Sequence, residues 1–355
     1  RRYSCRPHYA FRHYSYAVRQ RIYSKQSEAA CLIVNISIMN RKKGYLLILL
    51  AALIYSTTEV ALKGLGNIFH PMQLTVERVL IGGLILLPFA LKELSHRHLR
   101  LTADDWKYFI LLGSLTVLIH MAFLQLAVSH IDASAASAIY SGNPVFTFVF
   151  AYFILHSPIQ RSHVAAMVLE IIGILFIVNP WHLEISLQGF AEIMVATICI
   201  ALYSVLGKLR LDRLGSIVIT SMNFLIGGIE LLVFLLLGKC PTIATFYDHV
   251  GLDLFSMVPL LSGFSLQSTI ALLYVGIVVV GIGYLLMLKI VEYTSAAESS
   301  FVFLCKPVIA ALFARYFFHE HISANRVVGI SFFVLASFCV TIPMLKNLHQ
   351  PSTNC

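Results

Sequence analysis

Charged side chains buried in long apolar runs are where this chain has chemistry to offer. Lys306 lies eleven residues into such a run, immediately before Pro307, and Glu298 precedes it by eight residues. A charge at mid-bilayer costs roughly 2.5–3.5 kcal/mol on insertion scales, so it faces protein or water and marks an ion or substrate path. Proline frees the carbonyl four residues back and can kink the helix, so Lys306 beside exposed backbone is a candidate anion site or a counter-charge to Glu298. The two share a helix face but stand ~12 Å apart along the axis. They cannot pair directly and meet other partners, or meet through a substrate.

Glu77 and Arg78 are sequence neighbours, so they point about 100° apart and do not pair with each other. Arg78 keeps its charge and needs an acid, backbone carbonyls or an anionic ligand; structural pairing is the expectation, with a substrate or counter-charge role beside it. Glu59 follows Tyr55-Ser56-Thr57-Thr58 and is a candidate proton acceptor or amine ligand. His120 can titrate near neutrality or simply hydrogen-bond a neighbouring helix. Tyr140 and Asn143, with Gln125, Tyr203, Asn223 and Tyr284, are candidates to line a central cavity, and Pro144 and Pro307 are candidate kinks. Glu170, Glu192 and Glu230 stand alone in their runs. Catalytic readings find little support. All six aspartates fall in loops or at run ends, and no HExxH, GxSxG or P-loop pattern occurs. Seven cysteines are scattered without CxxC, so neither metal nor cofactor is expected.

The elements that position these residues follow from hydropathy. Of 355 residues 58% are hydrophobic and 12% charged, against about 25% charged in soluble domains; mean hydropathy is +0.82. A bilayer core ~30 Å thick needs roughly 20 apolar residues in a helix. Ten such runs are expected near 44–62, 71–91, 106–127, 133–155, 162–179, 188–207, 216–237, 267–290, 295–318 and 324–345. They are too long for barrel strands and do not alternate, which makes the chain an all-α polytopic membrane protein. Lys and Arg crowd one set of loops, with thirteen against about four. By the positive-inside rule both termini are cytoplasmic. Residues 1–38 hold seven of the 26 Lys/Arg and read as a leader or upstream extension; 348–355 reads as a tail. Without the first 38 residues the charge balance is only +3, so nucleic acid is not an expected partner.

The chain also repeats. Ala133-Ser134-Ala135-Ala136-Ser137 through Asn143-Pro144-Val145 resembles Ala296-Ala297-Glu298-Ser299-Ser300 through Lys306-Pro307-Val308. At the same offset of 163, His156-Ser157-Pro158-Ile159 falls opposite His319-Glu320-His321-Ile322. Halves 39–180 and 181–347 then hold five spans each, and an odd number inverts the second half, as is common in secondary transporters.

These pieces resemble the EamA-type branch of the drug/metabolite transporter superfamily over about residues 40–345. Glu77-Arg78, the run into Asn143-Pro144, and Ser299-Ser300-Phe301-Val302-Phe303-Leu304-Cys305-Lys306-Pro307 through Phe318-His319-Glu320 carry the resemblance. Ser157 stands where such families usually place Glu. The resemblance implies ten helices, an inner-membrane location and export or exchange of small metabolites, with spans five and ten peripheral. The expectation is a secondary-active transporter of amino acids or related compounds working by alternating access. Protons are a candidate coupling ion and a homodimer is left open. A passive facilitator is the alternative, with a membrane-embedded enzyme behind it.

Overall fold

Apolar runs placed in lipid must close every backbone hydrogen bond within themselves, and the computed structural model of this chain is helical. It describes residues 43–178, 186–299, 301–303, 309, 312–313, 315–316, 319 and 323–349. The helices are α1 (Lys43–Gly66), α2 (Pro71–His96), α3 (Ala103–His130), α4 (Ala135–Leu155), α5 (Arg161–Val178), α6 (Leu187–Leu214), α7 (Ser216–Leu237), α8 (Pro241–His249), α9 (Leu266–Tyr293) and α10 (Ala324–His349). Among the described residues, seven helices are long and apolar enough to cross a membrane: α1 to α4, α6, α7 and α9. Their outward faces carry exposed Leu46, Leu53, Leu84, Phe89 and Phe153, a surface suited to lipid. The expected ninth span, with Lys306 and Pro307, lies largely outside the described residues, as does the Glu59 side chain.

Glycine sets how closely the central helices approach. A Cβ on Gly82 of α2 would lie 2.8 Å from the Gly276 carbonyl oxygen of α9, and one on Gly227 of α7 would lie 2.8 Å from that of Gly113 in α3. Between α2 and α7 the contacts are reciprocal: Gly83 faces Leu225, and Gly228 faces Leu80. In both cases the partner helix widens nearby into a π-helical segment, Ser114–Met121 in α3 and Tyr274–Gly283 in α9. Such segments recur at functional sites. The helix α4 is broken at Ser141-Gly142, and Pro144 occupies the first turn of its second piece, Asn143–Leu155. There proline's missing N–H costs little.

Helices α5 and α10 pack on each other. Gly173 approaches the Gly329 carbonyl, and Phe176 stacks on Phe332 at 5.5 Å. His156 after α4 and His319 ahead of α10 both take left-handed backbone, φ 51 and 53, a conformation that non-glycine residues adopt mainly at helix ends and turns.

Candidate functional site

Arg78 is the largest side chain buried to under 2–3% exposure in the molecule's described part. His70 caps α2 by accepting from the Met72 N–H at 3.3 Å, and the helix carries Arg78 two turns inward. There its Nη2 donates to the Met121 carbonyl at 3.4 Å, while Nε has no acceptor. Glu77 turns away: its Oε1 accepts from Gln73, which also donates to the Ser262 carbonyl, both at 2.9 Å. Among the described residues Arg78 thus meets a backbone carbonyl, one of the three partners its charge could take, and no acid. Adjacent positions on a helix diverge, and the Glu77 carboxylate is held by Gln73 one turn back.

Around Arg78 lies a cluster of rings from six helices and the segment after them. His120, on the π-helical part of α3, shares a hydrogen bond of 2.9 Å with the Tyr140 hydroxyl and one of 3.4 Å with the Tyr284 hydroxyl. Tyr284 meets Tyr55 edge-on at 5.7 Å, Tyr203 at 5.9 Å and Phe224 at 5.0 Å. Phe303 closes the ring against Tyr55 and Tyr140 at 5.8 and 5.4 Å. Such edge-to-face pairs each contribute ~0.5–1.5 kcal/mol beyond burial. The hollow enclosed by Tyr55, Thr58, Arg78, Tyr140, Tyr284 and their neighbours measures about 10 Å³. That is room for about one water, far below the ~300 Å³ of a typical ligand pocket.

Polar networks close the bundle above and below this cluster. At one end Asp105, unexposed, caps α3 through the Thr102 N–H at 2.8 Å and also holds two arginines of α6. Arg213 binds it with both nitrogens at 2.7 and 2.8 Å, and Arg210 bonds the same carboxylate while lying over the Tyr108 ring. At the other end Asp132 binds Arg326 of α10 at 2.7 Å and Lys63 of α1 at 3.7 Å, and His130 of α3 meets Glu192 of α6 at 2.7 Å. A polar hollow of about 230 Å³ lies among them.

Of the candidates read from sequence, the structure brings Arg78, His120 and Tyr140 together. Asn143 is buried nearby on α4 but spends its amide on the Thr197 carbonyl and on Thr147. Glu298 is half-buried in the short turn Ala296–Ser299 beyond α9, its N–H donating to Ser295. Tyr55 and the roles of Asp105 and Asp132 went unread. Signals for them exist: Leu80-Ile81-Gly82-Gly83 recurs as Leu225-Ile226-Gly227-Gly228, Tyr55-Ser56 recurs as Tyr203-Ser204, and Thr102-x-x-Asp105 is a capping pattern.

The sequence profile described as the EamA-like transporter family matches residues 42–179 and again 188–342. A Clostridium kluyveri protein described as an uncharacterized transporter is 35% identical, covering 83% of this chain and 92% of its own. The uncharacterized transporter YoaV of Bacillus subtilis is 24% identical, covering 79% and 91%. A solved crystal structure, 16% identical, superposes with a TM-score of 0.62 over 87% of this chain and 99% of that one; this likeness concerns the fold alone.

Proposed function

This chain belongs to the EamA-like transporter family, a multi-pass membrane transporter, and from that premise we propose that it works by alternating access as a secondary-active carrier of small metabolites. The single observation that carries the reading is closure at both ends of the bundle. Among the described residues the ring cluster and Arg78 leave a hollow of only about 10 Å³, with Asp105 tying α3 to α6 at one end and Asp132 tying the α3–α4 turn to α1 and α10 at the other. A carrier caught between its two open states has this form; a continuously open pore does not.

In this reading, halves 39–180 and 181–347 are inverted five-helix repeats within a ten-helix bundle. The reciprocal Gly83–Leu225 and Gly228–Leu80 contacts, the π-helical segments in α3 and α9, and the left-handed His156 and His319 support it. The halves rock about the central contact of α2 with α7 and expose Arg78, Tyr140 and His120 to each side in turn. The protein lies in the inner membrane with both termini cytoplasmic, which places the Asp105 end inside. Its cargo is an amino acid or related compound, moved outward or exchanged. Glu59 and Glu298 are the candidate proton carriers, and Lys306 and Pro307 a further binding and hinge pair.

Solute counterflow by the purified protein in liposomes tests this. Saturable counterflow is the expected result, with net uptake abolished by a protonophore. Saturable flux that ignores the protonophore removes proton coupling and leaves an exchanger. Flux that rises linearly with concentration makes the protein a facilitator.

A further inference from the structure

We propose that the central hollow binds a monoanionic organic oxyanion, a carboxylate in the simplest case, carrying a flat apolar body. The proposal deepens the transport reading and rests on it for the identity of the site. Of the polar groups that line the hollow, the Tyr140 and Tyr284 hydroxyls meet His120, while Arg78, Thr58 and Tyr55 keep donor capacity to spare. Arg78, 2% exposed, has Nε without an acceptor and Nη2 on one long bond to a backbone carbonyl. Thr58 Oγ1 is buried with no partner, and the Tyr55 hydroxyl reaches only the Met287 sulfur at 4.0 Å, a weak acceptor. No carboxylate among the described residues pairs with Arg78.

A guanidinium that cannot lose its proton and is kept from water without a counter-charge is costly. The cost is offset when a ligand brings the negative charge, and the planar fork of arginine matches a carboxylate. An amine in the same place would add a second buried cation and leave the Arg78 guanidinium unmet, although the two hydroxyls could accept from it. The rest of the lining is Met121, Leu124, Val279 and Val280, beside Tyr140 and Tyr284. That surface suits an aromatic or similarly flat body. The closed hollow is too small to hold one, so the ligand enters as the halves part and the rings spread around it.

Three probes that differ in the head group alone test this on the purified full-length chain: 3-phenylpropionate, 3-phenylpropanol and 3-phenylpropylamine. The expected order of thermal stabilisation at equal concentration is carboxylate first, alcohol weak, amine none. Arg78→Gln should weaken the carboxylate's apparent affinity by about tenfold or more, as loss of a charge-assisted hydrogen bond does, and Thr58→Val by less. The wild-type ranking decides even where Arg78→Gln fails to fold. Stabilisation by the amine equal to or above that by the carboxylate overturns the proposal, as does a carboxylate shift that survives Arg78→Gln or no shift with the carboxylate at all. Liposome counterflow of 3-phenylpropionate separates the two readings. Arg78-dependent binding without counterflow would leave the anion site standing and remove the transport role, whereas amine counterflow independent of Arg78 would do the reverse.

Discussion

His120 is held by the Tyr140 and Tyr284 hydroxyls and by the Thr116 carbonyl. Tyr140→Phe removes the hydroxyl that meets His120 Nε2 at 2.9 Å, a loss of about 1 kcal/mol, the net worth of a hydrogen bond. A lowered melting temperature in detergent, together with reduced counterflow, is the expected result; an unchanged melting temperature would mean that His120 is held by other contacts. His70 offers a pH test outside the membrane-spanning helices. Burial lowers its pKa from the ordinary 6.5, and its Nδ1 can accept from Met72 only while unprotonated. The folded pKa lies below the unfolded one, so the stabilisation is present above about pH 6.5 and is lost as pH falls through the folded value. The size is that of a helix cap, ~1 kcal/mol. His70→Asn, which caps without titrating in this range, should flatten stability between pH 7 and 5; an unaltered pH profile would exclude the cap as its cause.

Among the elements, the glycine contacts have the least room to give. Gly82→Val or Gly227→Val sets side-chain carbon about 2.8 Å from a backbone oxygen, and backbone cannot swing aside. A cost of ~3 kcal/mol, the upper end for overpacking, should appear as a lower melting temperature for both variants. Gly251, with nothing within 4 Å of its Cβ position, gives a comparison site where Ala should cost far less, its φ of 76 being the only strain. The long helices were legible because lipid imposes a length and an apolar composition that survive in sequence. Arg78, His120 and Tyr140 were legible for the same reason, as polar residues where apolar ones are the rule. Asp105 and Asp132 were not: at span ends an aspartate is ordinary, and only the folded chain brings Arg213, Arg210 and Arg326 to them. Which partner Arg78 takes was left open between an acid, backbone carbonyls and a ligand, because only the folded chain brings the Met121 carbonyl to it.

For the molecule as a whole, the two end networks should act as opposing latches. Asp105→Asn weakens the hold of α3 on Arg210 and Arg213, and Asp132→Asn loosens Lys63 and Arg326. Lys63, Arg210 and Arg213 are partly solvated while Arg326 is buried, so a shift of about 1 kcal/mol between states is expected, enough to change populations several-fold. In a background without native cysteines, Val280→Cys lines the central hollow. An impermeant maleimide should then reach it from the Asp105 side in the first variant and from the Asp132 side in the second. Labelling from the same side in both variants would mean that the networks are not gates.

Double electron–electron resonance on the reconstituted protein reads the central claim directly. Spin labels at Lys107 and Asp212 report the Asp105 end, and labels at Ser129 and Gln188 report the opposite end; all four positions are exposed. Alternating access requires two distance populations at each end, with Asp105→Asn lengthening the first pair while the second stays short, and Asp132→Asn doing the opposite. A population with both pairs long at once, or one fixed distance at each end in every variant, would contradict it.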